Sequence, residues 1–296
     1  MDGEKLERVS AVYHAGLLSR LRYAPVRAVL CALLKRANAE PRPFTARTFW
    51  GRQMTVYLPE EVSQYIYRFG LFEPGLTRAF CSLLKPDDVF FDIGAHFGYF
   101  SLLASQLVGP EGRVHAFEPA RFTFDVLAQN LCDVSNVRCN RTAIWNAEIE
   151  LQLNDFGVKL SAFNSFRGQK TGRTVEAHET YSVPAITIDR YVSQNGVVPT
   201  VIKVDAENAE YEVVEGMRET MKQYRSIVTL EVGDHIGTES QKMSREAVLL
   251  AESFGYRAME YIGSFVPHNV RETYEYDNLF MVPAELVSSM KERAQL

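Results

Sequence analysis

Between residues 89 and 282, short apolar runs alternate with stretches whose apolar residues recur at helical spacing. The runs at 89–91, 113–117, 137–142, 201–204, 227–231, 257–261 and 279–282 read as strands, and 99–107, 122–131, 209–224 and 241–254 read as helices between them. Val89, Phe90 and Phe91 are continuously apolar, as suits a strand covered on both faces of a parallel sheet. The expected fold is therefore α/β and Rossmann-like, with a mostly parallel sheet. A loop rather than a clear helix joins the last two strands, which permits an antiparallel last strand.

The chain before residue 45 follows another pattern. Residues 6–37 read as helical, interrupted at Pro25, with Leu17, Leu18, Leu21, Val29, Leu30, Leu33 and Leu34 interleaved with Arg20, Arg22, Arg27, Lys35 and Arg36. Residues 1–44 are thus an N-terminal helical extension and 45–296 the main domain. The basic amphipathic segment suits a peripheral membrane contact, a homodimer arm, a lid, or a helix pair packed on the domain's flank. Pro41 and Pro43 mark a linker, 45–50 and 54–58 a hairpin around Gly51, and 60–67 a helix. Residues 148–153 begin an added hairpin. Residues 155–182, polar and glycine-rich at their centre, are long for a passive connection and are read as a mobile substrate loop, the alternative being a surface hairpin.

The densest chemistry follows the 89–91 strand, in VFFDIGAHFGYF. Asp92 ends the strand, Gly94 and Gly98 bracket a turn, and the next helix opens with free N–H groups. The following strand delivers Glu118, where a carboxylate can accept both hydroxyls of a ribose. A dinucleotide site wants G-x-G-x-x-G so that backbone can approach a pyrophosphate. Here the spacing is D-x-G-x-x-x-G, and a carboxylate would repel a pyrophosphate but favour a ligand bearing an ammonium and a sulfonium, which describes S-adenosylmethionine.

A second cluster, VIKVDAENAEYEVVEG, ends its strand at Asp205 and places Glu207 and Glu210 in the first turn of the next helix. Acidic residues there can simply complement the helix dipole, which covers Glu207 and Glu210 better than Asp205. The next strand brings Glu231, Asp234 and His235 to the same edge. His235 is the candidate general base for a hydroxyl, with Asp205 and Glu207 beside it as candidate catalytic groups. Alternatively, Asp205 with Glu231 or Asp234 holds a divalent cation such as Mg²⁺ that acidifies the hydroxyl.

The chain's 296 residues carry a formal net charge of −5, which argues against a nucleic-acid partner. Cys31, Cys81, Cys132 and Cys139 form no C-x-x-C pair, no secretory signal is visible, and no apolar run crosses a bilayer, so a cytoplasmic protein with reduced thiols is expected.

Several spaced segments together resemble the FkbM family of S-adenosylmethionine-dependent methyltransferases. They are YRFGLFEPGLTRAF with Glu73 and Pro74, FDIGAHFGYFSLLAS, FEPARFTFDVLAQN with Glu118 and Asn130, the pair Asn164 and Ser165, TIDRY around Asp189, IKVDAENAEYEVVEG, and DNLFMVP. The resemblance implies a class I methyltransferase fold. It implies that Asp92, Gly94, Gly98 and Glu118 bind the cofactor, that Ala143 lies near the adenine, that Glu73 approaches the methionine end, and that Asp205 sits beside the methyl group; the residues themselves give His96, between the glycines, as shaping the methionine pocket or hydrogen-bonding the adjacent loop. It also implies O-methylation of a hydroxyl on a small natural product of secondary metabolism or on a glycan; N-methylation of an amine or peptide and a non-catalytic scaffold are the alternatives. The chain departs from the family pattern at His96, where asparagine is frequent, and at Ala206 and Asn208, where valine and glycine usually stand. Asn208 is expected to lie nearest the acceptor.

Overall fold

The computed structural model describes residues 3–166, 176–234 and 244–292. Three helices come first: α1 (Gly3–His14), α2 (Leu17–Tyr23) and α3 (Pro25–Arg36). The hairpin β1 (Arg42–Arg47) and β2 (Gln53–Leu58) follows, then α4 (Glu61–Phe69) and α5 (Pro74–Leu83). Pro43 does not lie in a linker, because it is already inside β1, opposite Tyr57.

The alternating part begins with β3 (Val89–Ile93), α6 (Tyr99–Val108), β4 (Arg113–Phe117), α7 (Arg121–Leu131) and β5 (Val137–Asn140). Strands β6 (Ala143–Ile144), β7 (Ile149–Asp155) and β8 (Glu179–Ile186) then form a separate small sheet. After it come α8 (Ile188–Asn195), β9 (Val201–Val204), α9 (Glu210–Gly216), α10 (Arg218–Tyr224), β10 (Ile227–Val232), α11 (Ser244–Ser253), β11 (Tyr256–Tyr261), β12 (Phe265–Pro267), β13 (Asp277–Pro283) and α12 (Val287–Glu292). The helix expected over 209–224 is broken at Met217. A Cβ on Gly216 would stand 2.1 Å from the Trp145 carbonyl oxygen, so the chain there passes against the small sheet.

The main sheet has the order β12-β11-β13-β10-β9-β3-β4-β5. Strands β10, β9, β3, β4 and β5 run parallel, and β13 is inserted antiparallel between β10 and β11. This is the Rossmann-like sheet with an antiparallel last strand. Chain order reverses between β3 and β9, so a crevice opens at their carboxyl ends.

Alternation along β3 sends Phe90 to one core and Phe91 and Ile93 to the other; along β9, Val201 faces the first and Ile202 and Val204 the second. Asp92 and Lys203 therefore share the first face, and they are register partners across β3 and β9. Asn130 clamps the hairpin onto the crevice: its Oδ1 accepts from Thr55 N, and its Nδ2 donates to the Thr55 and Phe97 carbonyls.

Helix α1 buries Leu6 and Val9 in the first core, while α3 exposes Val26, Val29 and Leu33. Among the described residues no helix is long and apolar enough to cross a membrane.

Candidate active site

The loop from β3 to α6 forms the floor of the crevice. Gly94 has φ +74°, and a Cβ on it would meet the Asp205 carbonyl oxygen at 1.8 Å, so the turns after β3 and β9 cross in backbone contact. Gly98, at φ +90°, would press a Cβ on Leu127 at 2.7 Å. His96 lies between them at φ +49°. Its ring Nε2 is 2.9 Å from Ser161 Oγ, and burial pushes its pKa down to about 4, so the ring is neutral near pH 7.

Glu118, just beyond β4, is anchored by two backbone N–H groups: His96 N donates to Oε2 at 3.0 Å and Ala120 N to Oε1 at 3.0 Å. Each oxygen keeps a further acceptor site, enough for a pair of vicinal hydroxyls. Burial raises its pKa to about 7, with the Asp205 and Asp92 charges adding to the effect against the two N–H bonds. Beside it, Phe117, Pro119, Ala143 and Ile144 add an apolar slot to the cavity wall.

A charged network lies behind this wall. Asp92 is fully buried and does not line the cavity; Ser101 Oγ donates to its Oδ2 at 2.6 Å, and Lys203 Nζ is 3.7 Å from its Oδ1. It therefore supports the loop from beneath. Lys203 also lies 3.1 Å from Asp205 Oδ2 and 5.4 Å from the Phe100 ring centroid. Burial by itself would lower the Lys203 pKa, but Asp205, Asp92 and Glu73 outweigh it and hold the amine above its usual value. Glu73, at the start of α5, lines the same end; Tyr276 Oη and Asn278 Nδ2 donate to it, and burial raises its pKa to about 7.

Next to this network, ligand oxygens of Asp205, Glu207 and Glu231 lie within 4.8 Å of one another. Glu207 is not in the helix: it occupies the preceding loop at φ +48°, and Ser165 Oγ donates to its carbonyl. Glu210 does the helix-end work, accepting from the Ala206 and Asn208 N–H groups. Asn208 has φ +77° and is not part of the cavity wall, contrary to its expected place nearest the acceptor. Both His96 and Asn208 thus depart from the family pattern at left-handed positions, where asparagine, histidine and glycine are the tolerated residues. Asp234 does not join the acidic trio. Its oxygens accept from Ser244 N and Tyr274 N, at 2.8 Å each, and tie β10 to α11 and the segment before β13. His235 lies outside the described residues.

Glu73, Gly94, His96, Glu118, Lys203 and the acidic trio line a cavity of about 310 Å³. The segment after β7 supplies Ser161, Phe163, Asn164 and Phe166 to its wall; residues 167–175 of the expected substrate loop lie outside the described residues. Lys203 carries no candidate role in the sequence motifs, although a lysine inside the apolar run of β9 is itself a signal. The residues present fit the expected cofactor: acceptors for a ribose at Glu118, an apolar slot beside it, glycine backbone at the crossing of β3 and β9, and carboxylates for an ammonium and a sulfonium.

Residues 92–258 match the model of the methyltransferase FkbM domain. The chain is 26% identical over 182 residues to the hexuronic acid methyltransferase AglP of Haloferax volcanii, covering 61% of this chain and 69% of that protein. Among solved structures it is similar to methyltransferase FkbM from Methylobacillus flagellatus, with TM-score 0.42 and 14% identity over 74% of this chain and 54% of that one, so it spans about half of that chain's length. A SAM-dependent O-methyltransferase from Thermotoga maritima aligns with TM-score 0.40 and 12% identity, over 84% of this chain and 80% of that one. With its family match running from the end of β3 into β11, the chain belongs to the FkbM family of S-adenosylmethionine-dependent methyltransferases.

Proposed function

We propose that this enzyme methylates a hydroxyl group of a small polyhydroxylated acceptor, a natural product or a glycan. The observation that carries this reading is the trio Asp205, Glu207 and Glu231, which lines the same cavity as Glu118. When bound, S-adenosylmethionine would supply an electrophilic methyl group on its sulfonium, with S-adenosylhomocysteine as the co-product. Glu118 holds the ribose, and Glu73 faces the ammonium end. Asp205, fixed by Lys203, accepts the acceptor's hydroxyl proton as that O–H bond breaks, and Glu207 and Glu231 hold neighbouring hydroxyls. Enclosure between the β3 loop and the segment after β7 aligns the two reactants, an effect that lowers the barrier without new covalent chemistry.

Asp205→Asn tests the assignment. We expect kcat to fall about 100-fold or more while the Kd for S-adenosylhomocysteine changes little, read by labelled methyl transfer and calorimetry. Mass analysis locates the methyl group, and a product methylated only at nitrogen overturns the reading. The acidic trio also suits a divalent cation in place of direct proton acceptance, and full activity after EDTA treatment removes that second version.

A further inference from the structure

A second cavity, of about 520 Å³, adjoins the first and shares Glu61, Tyr65, Phe72, Glu73 and Tyr276 with it. The contact between Glu73 and Tyr276 stands at the partition. Beyond it the wall is aromatic: Tyr13 from α1, Tyr261 from β11 and Phe280 from β13 join Tyr65, Phe72 and Tyr276. Tyr13 stacks on Tyr65 at 5.1 Å between ring centroids, which fixes α1 as part of this wall. Polar groups interrupt the rings at Glu61, Glu73, Asp277 and Asn278, and no lysine, arginine or histidine lines the cavity among the described residues.

This composition selects a chemistry. Aromatic faces receive the C–H faces of a flat polar ring, and carboxylates accept its hydroxyls. A purely apolar ligand would strip water from Glu61, Glu73 and Asp277, and an acidic ligand would meet their like charge, since Lys203 and Arg271 lie outside this wall and already face Asp92, Asp205 and Asp277. We propose that the second cavity is an acceptor subsite for a sugar ring that carries no acidic group, one residue removed from the ring being methylated. The proposal rests on the hydroxyl-methylation reading and deepens it. It also sets this enzyme apart from the hexuronic acid specificity in the name of its relative, and it gives the N-terminal helix α1 a part in building the site.

Gly75 offers a clean perturbation. It lines the second cavity and not the first, lies within α5 and has no atom within 4 Å of an added Cβ, so a larger side chain stands at the rim of this cavity without a clash. The full chain loaded with S-adenosylhomocysteine is screened against a panel of neutral, amino and uronic oligosaccharides, beside Gly75→Leu. Expected are binding of neutral or amino saccharides, weak or no binding of uronic ones, and about a tenfold or greater loss of saccharide binding in Gly75→Leu, with the Kd for S-adenosylhomocysteine unchanged. Preference for uronic saccharides, no saccharide binding at all, or equal binding by Gly75→Leu overturns the subsite. Labelled transfer to the bound saccharides separates the two readings: methyl found on oxygen with Gly75→Leu unaffected sinks the subsite alone, whereas methyl found only on nitrogen sinks hydroxyl methylation.

Discussion

Replacing Lys203 by methionine isolates the charge that holds the two halves of the site together. The substitution nearly conserves side-chain length, so packing against Phe100 is largely kept and the change is one of charge. Lys203 is 3% exposed, and its ammonium faces Asp92 at 3.7 Å and Asp205 at 3.1 Å. Removing one partner of a buried ion pair costs about 3–5 kcal/mol, because the remaining charge is left without compensation. Here two carboxylates lose their partner, and Glu73 loses an attraction that had been lowering its pKa. The sign with pH follows. The Asp92 pKa is already raised by burial, and Lys203 is the largest of the influences lowering it, so the variant raises it further. A carboxyl whose folded-state pKa exceeds its unfolded value favours the folded state at low pH, and that contribution is lost as pH rises through the folded pKa. The destabilisation is therefore largest near pH 8 and shrinks as pH falls toward 5. In urea unfolding followed by circular dichroism, the midpoint should drop by about 1 M or more at pH 8 and by clearly less at pH 5. A loss of stability equal at both pH values, or below about 1 kcal/mol at pH 8, would refute the assignment of Lys203 as the charge partner.

Cofactor affinity should rise with pH through about 7, because the ionised Glu118 accepts the ribose hydroxyls and its pKa stands near 7. Calorimetric titration of S-adenosylhomocysteine from pH 5.5 to 8.5 checks this, and Glu118→Gln should bind more weakly and lose that group's part of the slope; an unchanged profile would count against it. Asn208→Gly should leave stability within about 1 kcal/mol or raise it, because glycine relieves a left-handed position, and should leave the acceptor KM unchanged. A large rise in KM would instead put Asn208 at the acceptor.

What the sequence made legible is what local pattern encodes. The apolar run before Asp92, the two glycines and the strand end at Glu118 lie within thirty residues, and of these Gly94 and Glu118 line the crevice. Glu207 was misplaced because acidic residues before a helix fit its first turn equally well. Only the backbone shows that Glu207 sits at φ +48° in the loop while Glu210 caps the turn. Lys203 was missed for a different reason. Its significance comes from Asp92, opposite it in a parallel register that joins strands distant in sequence, and strand order is not written in either strand. The aromatic cavity is harder still. Tyr13, Tyr65, Tyr261 and Phe280 meet because α1 packs on the first core and β13 inserts antiparallel beside β11.

The charge distribution of the crevice also bears on turnover. Glu73, Glu118, Asp205, Glu207 and Glu231 line one cavity in which Lys203 is the permanent cation among the described residues. Without a bound cation, burial holds Glu73 and Glu118 near a pKa of 7, where a proton partly neutralises each. A ligand bearing a sulfonium and an ammonium supplies positive charge to the same carboxylates, pulls their pKa values down and releases those protons as it binds. Methyl transfer removes the sulfonium charge, so the product meets the same carboxylates with one attraction fewer. The acidic lining thus favours the charged donor over the spent one. That difference resides in residues contributed by β4, β9, β10 and the start of α5, and so in the architecture of the sheet edge rather than in any single side chain.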